Sequence, residues 1–283
     1  MSAFDSFERK HDFLVCVDSD GCAMDTMNCK HFHCFGPCMV VEWELDDWRA
    51  PILESWNQVN LFRMTRGINR FKGLALALTE VNECYTPIAG VETLCAWVET
   101  TKALSNDALA QAILDTPEEE GRRCLEKALA WSKAVNASIV QLPQELKVPF
   151  AGAKEGLKAA HTFADVAVVS SANRDAVVEE WTLHGLLEHT DILLAQDCGS
   201  KAHCIGEMLK FGYAPDHVLM VGDAPGDCDA AEINGVWYYP ILVNKEAESW
   251  QELQTVALEK LRSLDYAGYQ PEKKRQFLTN LGG

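Results

Sequence analysis

Three short stretches carry oxygen-bearing side chains at close spacing. DSDG supplies Asp18 and Asp20, GDAPGD supplies Asp223 and Asp227, and SSANR supplies the hydroxyls of Ser170 and Ser171. A lysine, Lys201, stands in DCGSKAHC between the last two in chain order. Phosphoryl transfer uses this set of groups. One aspartate can attack phosphorus as a covalent nucleophile. A second, two residues on, can protonate a leaving oxygen and later activate water. Several close carboxylates repel one another unless a divalent cation shares them, and magnesium prefers oxygen donors while keeping waters and phosphate oxygens in its shell. A serine hydroxyl and a lysine donate to the charged oxygens of the transferring group. Taken singly, each stretch also fits turn or capping chemistry. The chemical reading depends on what brings the stretches together.

Each stretch follows an apolar run: FLVCV before Asp18, VAVV before Ser170, VLMV before Asp223. Continuous apolar runs of this length read as strands buried on both faces, and parallel strands put their C-terminal ends on one edge, where open α/β sheets bind ligands. DILLA and VWYYPI read as two further strands, and helical patterns alternate with the four strands that follow Pro149. Residues 246–264 read as a closing helix. From about 50 to 140 the pattern is helical throughout: PILESWNQVNLFRMTR, NRFKGLALALTEVN, AGVETLCAWVET, then SNDALAQAIL capped by Ser105, then TPEEEGRRCLEKALAW with Thr116 as cap and Pro117 at the first helical position. The predicted architecture is α/β: a doubly wound, Rossmannoid parallel-sheet core of residues 1–26 and 149–283, interrupted by an inserted all-helical cap of residues 27–148.

With these motifs in order, the chain resembles the haloacid dehalogenase superfamily, in its helical-cap branch of phosphatases similar to phosphoglycolate phosphatase. The match rests on Asp18-Ser19-Asp20-Gly21 with Asp25-Thr26, on Ser170, on Lys201, and on Gly222-Asp223 with Asp227 and Ala230-Ala231. The resemblance implies that Asp18 is nucleophile and magnesium ligand and Asp20 general acid and base. Magnesium would also take the Asp20 backbone carbonyl and Asp223, with Asp227 supporting and the cap closing to exclude bulk water. Cys22 stands where a threonine is common in the family. The retained Asp20 argues against a dehalogenase or a phosphonate-cleaving enzyme but leaves open a sugar phosphomutase. A non-catalytic metabolite- or metal-binding regulator on this fold, or a redox sensor, also remains open.

The expected partner is a small phosphorylated metabolite. A net charge of −17 over 283 residues repels nucleic acid and anionic membranes. No run approaches the ~20 apolar residues of a membrane helix, and MSAFDSFERKHD lacks the apolar core of a secretory signal. Eleven cysteines without such a signal read as reduced thiols in a cytoplasm. Cys29, His31, His33, Cys34 and Cys38 supply enough ligand atoms for zinc, but their spacing fits no common zinc knuckle, and with Gly36-Pro37 interrupting the segment, buried thiols and hinge packing fit it better. Whether His31 or His33 turns toward the phosphoryl site stays open. Arg63, Arg66 and Arg70 would share one helix face if Gly67 is tolerated; they serve either as an anion clamp, with Arg66 at its centre, or as a solvated basic face. Arg174 and Ser171, just past Ser170, are the core positions expected to touch a substrate anion. Trp43, Trp48, Trp56 and Trp97 read as cap core. Substrate identity and oligomeric state are not encoded in any of these motifs.

Overall fold

The computed structural model describes residues 3–283. Five parallel strands form one sheet: β1 (Phe13–Val17), β2 (Ala164–Val169), β3 (Ile192–Leu194), β4 (Val218–Gly222) and β5 (Trp237–Pro240). Their order is β3-β2-β1-β4-β5. The chain therefore runs outward from β1 to β3, then returns to the other side of β1 for β4 and β5. The order reverses between β1 and β4, the position at which open α/β sheets bind ligands. Register keeps these strand ends level, since Val17 pairs with Val168 on one side and Val221 on the other. Helices Ala153–Ala160, Arg174–Leu183, Lys201–Leu209 and Pro225–Asn234 alternate with the strands. The apolar runs form strands because both sheet faces are covered: Val15, Val17, Val166, Val168, Leu219 and Val221 pack with Trp181, Trp250 and Tyr266, and the alternate residues Leu14, Cys16, Ala167 and Met220 are equally buried.

The described chain separates into two compact units, one containing the residues up to Met27 with Gln144–Gly283, the other Asn28–Pro143. Residues 144–148 belong to the sheet unit. Their ties are local to it: the Val148 carbonyl accepts from Asp25 N, the Lys147 carbonyl meets His184 Nε2 at 2.7 Å, and Gln144 reaches Glu179. The C-terminal region is less regular than one closing helix. Glu246–Glu252 passes through a wide turn at Leu253–Ala257 into Leu258–Arg262, and a further helix, Gln270–Asn280, was not anticipated. Its polar run PEKKRQ hides a single apolar anchor, Phe277, whose ring meets Tyr238 edge-on at 5.4 Å. Gln270 accepts from the Tyr238 backbone N–H at 2.7 Å, which blocks the edge of β5 against further strand pairing.

The other unit is helical: Arg49–Leu61, Arg70–Cys84, Val91–Thr100, Asn106–Asp115 and Glu119–Val140 follow the segment that begins with Met27–Lys30. Trp43, Trp56, Trp97 and Trp131 line its core with Phe71, Leu78 and Leu94, and Trp48 packs against it. Three expectations are corrected. The helix expected to run through FRMTR stops at Leu61; residues 62–68 form turns with Gly67 at φ 70°, so Arg63, Arg66 and Arg70 do not share a helix face. Thr116 does not cap the long helix. The Thr116 hydroxyl bonds back to the Ala112 carbonyl at 2.7 Å, which ties it to the preceding helix, and Glu118 caps instead, accepting from Glu120 N and Gly121 N. Finally, Gly36-Pro37 does not interrupt the segment after Met27. Gly36 is itself helical, and a π-turn at His31–Phe35, closed by Gly36 N–H to the His31 carbonyl, leads into Gly36–Glu42 with Pro37 in its first turn. A Cβ at Gly36 would lie 2.7 Å from Leu53 Cδ2 and 3.1 Å from Trp56 Cδ1, so a larger residue here would push on the side chains of Arg49–Leu61.

Candidate active site

Asp18 directly follows β1 and Asp223 directly follows β4, one on each side of the point where strand order reverses. Asp18 N–H donates to the Val221 carbonyl at 3.0 Å, continuing the ladder by one residue and placing the two carboxylates side by side. Asp227 enters from the first turn of Pro225–Asn234. Its Oδ2 accepts from the Ala224 backbone N–H at 3.1 Å, a bond back to the start of the helix that fixes its rotamer. This placement demands glycine at 222, where a Cβ would lie 2.3 Å from the Asp227 carboxyl carbon. Asp18, Asp223 and Asp227 are 5%, 1% and 0% exposed. They bring one carboxylate oxygen each within 4.8 Å of one another.

Lys201 is the cation among them. Ser200 caps Lys201–Leu209 by accepting from His203 N at 3.2 Å, and the lysine at the first helical position reaches Asp18 Oδ2 at 2.8 Å and Asp227 Oδ1 at 2.5 Å. Burial opposes the charge on Lys201, but Asp18 and Asp227 outweigh it and hold the ammonium above the ordinary lysine range. Asp18 is pushed well up, first by burial and then by the charges of Asp227 and Asp223, against the pull of Lys201. One ammonium faces three carboxylates, so this pocket is short of positive charge. A hard divalent cation fits the deficit: all donors are carboxylate oxygens, and magnesium takes such oxygens in a small octahedral shell. Asp18 and Asp223 would hold it. Asp227 has both oxygens engaged, by Lys201 and by Ala224 N–H, which suits a supporting role.

A pH dependence follows from the Asp18 shift. Its folded pKa lies above the unfolded value of ~3.9, so without metal the folded form binds the extra proton and loses stability as pH rises through that window. Magnesium needs the ionised form. The thermal stabilisation from saturating magnesium over EDTA-treated protein is therefore expected to be larger at about pH 7.5 than at about pH 5.5. Ion at ~100 times its Kd would contribute ~2.7 kcal/mol. An increment that is absent, or equal at both pH values, would contradict a shared-carboxylate metal site.

The remaining catalytic-loop residues are held by elements distant in sequence. Ser19 accepts from Trp181 Nε1 at 2.8 Å, and the Cys22 carbonyl accepts from Trp250 Nε1 at 2.9 Å. Thr26, fully buried, donates to Asp20 Oδ1 at 2.6 Å and aims that carboxylate. Asp20 lies outside the three-carboxylate cluster, and its side chain is partly exposed. Trp181 and Trp250 were invisible in the sequence as loop anchors, because a tryptophan in an apolar helix pattern reads only as core.

Ser170 follows β2, buried, with its N–H on the Leu194 carbonyl at 2.9 Å and its Oγ accepting from Ala172 N at 3.1 Å. Ser171 beside it is exposed. Arg174 Nε bonds Asp197 Oδ2 at 2.8 Å, Nη1 the Leu193 carbonyl at 3.1 Å and Nη2 Cys198 Sγ at 3.0 Å, so its guanidinium nitrogens meet β3 and the loop that follows it. Arg66 is buried in the helical unit and donates to the Leu61 carbonyl at 2.7 Å, closing the turn where its helix ends. Arg70 bonds Ser132 and Asn136 and lies over the Phe35 ring.

The cysteine and histidine group does not converge. Cys29 and Cys34 are buried in the helical core, Cys38 packs against it, and His33 is exposed. His31 Nδ1 accepts from Trp56 Nε1 at 3.0 Å and its ring stacks on Phe35 at 4.6 Å, which makes it part of that unit's aromatic wall. Among the described residues, the group of His, Cys, Asp and Glu able to hold a metal ion is Asp18, Asp223 and Asp227.

The sequence profile of haloacid dehalogenase-like hydrolases matches residues 95–239, half of the chain. The chain belongs to the haloacid dehalogenase-like hydrolase family. Among curated proteins none matches it. The fold of this hydrolase is similar to that of a candidate phosphoglycolate phosphatase from Lactobacillus delbrueckii subsp. bulgaricus. The two are 16% identical, the match covers 91% of this chain and 98% of that one, and the TM-score is 0.52. A candidate β-phosphoglucomutase from Thermotoga maritima is 17% identical over 90% of this chain and 99% of that one, with a TM-score of 0.43. At these identities the likeness concerns the fold. No helix among the described residues is long and apolar enough to cross a membrane.

Proposed function

We propose that this hydrolase is a magnesium-dependent phosphomonoesterase acting on a small phosphorylated metabolite in the cytoplasm. The observation that carries the reading is the meeting of Asp18, Asp223, Asp227 and Lys201 where the strand order reverses. In this reading Asp18 attacks phosphorus, the bond to the leaving oxygen breaks, and Asp20 gives that oxygen its proton. An aspartyl-phosphate results. Asp20, now a base, takes a proton from water, which attacks the same phosphorus and releases inorganic phosphate from Asp18. The Ser170 hydroxyl and the Lys201 ammonium hold the phosphoryl oxygens, with Ser171 at the exposed end. A bound magnesium ion would neutralise Asp18 and Asp223 together with the incoming phosphate. Thr26 orients Asp20 for both proton transfers.

The test is release of inorganic phosphate from a panel of phosphomonoesters, with and without magnesium. Magnesium-dependent release is expected for at least one small sugar or carboxylic-acid phosphate. Phosphate moved between positions of a sugar, with none released, would replace the reading with a phosphomutase. Stoichiometric tight zinc with no turnover of any ester would replace it with a metal-binding regulator.

A further inference from the structure

We propose that Arg174 is a positioning residue: it clamps the Asp197–Cys198 turn and thereby sets where Lys201 meets Asp18 and Asp227. The inference rests on the phosphohydrolase reading for its consequence and on the contacts alone for its geometry. Lys201 leaves a loop with little regular structure of its own. After β3 the chain makes a short 3-10 turn, Gln196–Cys198, then passes Gly199 at φ 105° and Ser200 before the helix begins. The left-handed backbone at Gly199 favours glycine, so the chain turns sharply just before Lys201. Arg174 grips this turn from both ends, through the Leu193 carbonyl before it and through Asp197 and Cys198 within it. A second tie comes from Gln196 N–H to the Ala172 carbonyl at 3.1 Å, so the loop carrying Ser170 and the loop carrying Lys201 are joined side by side. The planar fork suits three acceptors in different directions, which an ammonium cannot span. The Asp197 carboxylate is exposed, yet its bond to Arg174 holds it below the usual carboxylate range.

The alternative role, direct contact with a substrate anion, makes opposite predictions. With p-nitrophenyl phosphate and magnesium as probe, R174Q, R174K and D197A are each expected to lower kcat by ~10–100-fold with KM within about twofold. The R174Q/D197A double variant is expected to fall no further than either single one, because both break one clamp. Amide hydrogen exchange over residues 195–204 should quicken in all of them. R174K near wild type, or a KM raised about tenfold in R174Q with D197A silent, would overturn the clamp and return Arg174 to the substrate. Unchanged exchange would overturn it as well. Wild-type protein inert toward the probe would count against the phosphohydrolase reading alone, and the exchange measurement would then decide the clamp.

Discussion

Asp18→Asn is expected to lower turnover by ~10³–10⁶-fold while the protein stays folded. The substitution keeps shape and volume at a position that is 5% exposed, so packing is undisturbed. It removes the oxygen proposed to attack phosphorus and one of the three crowded carboxylates. Ten-fold in rate is ~1.36 kcal/mol, so the expected loss is ~4–8 kcal/mol of transition-state stabilisation. Stability should move little, because two effects oppose each other. Lys201 loses one partner but keeps Asp227 at 2.5 Å, and burial together with the neighbouring carboxylates no longer penalises a charge at 18. Thermal melting beside phosphate release separates the two. A variant retaining a tenth of wild-type turnover would show that Asp18 is not the nucleophile.

Lys201→Met tests the other half of the site and should show its largest effect in stability. Methionine fills the lysine stem's volume but removes the one ammonium that faces Asp18 and Asp227. Removing one partner of a buried pair costs ~3–5 kcal/mol, since the other charge is left uncompensated. Two carboxylates are left here rather than one. The loss in EDTA should shrink as pH falls, because Asp18, whose carboxyl burial already pushes up, then sheds its charge, and it should shrink again when magnesium is added at about pH 7.5. Turnover should fall ~10²–10³-fold through the lost contact to the phosphoryl oxygens. Denaturant unfolding in EDTA at two pH values gives the reading. Unchanged stability in EDTA at about pH 7.5 would mean that the ion pairs contribute nothing to the fold.

Much of this molecule is readable from local sequence. FLVCV, VAVV, DILLA, VLMV and VWYYPI are strands because a parallel sheet covered on both faces needs side chains that are apolar without alternation. A carboxylate or hydroxyl directly after such a run lands at the sheet's C-terminal edge whatever surrounds it, so Asp18, Ser170 and Asp223 could be placed by counting. Ser105 could be assigned as a cap for the same reason, since its partner, Ala108 N, is three residues away. Local reading failed where two local signals competed. Thr116 precedes a proline and resembles a cap, but its own hydroxyl found the preceding helix. Arg63, Arg66 and Arg70 keep helical spacing across a Gly67 that breaks the helix.

What the sequence by itself determined is which groups exist for the chemistry and which sheet edge receives them, because both follow from residue type and short spacing. What only the tertiary structure decided is how those groups are held. Trp181 on Ser19, Trp250 on Cys22 and Arg174 on Asp197 join residues 23 to 228 positions apart. Such partners are chosen by how helices pack over the finished sheet, which no local periodicity records. For the same reason the bonds of Arg174 to Leu193, Asp197 and Cys198 could not be read from its position after Ser170.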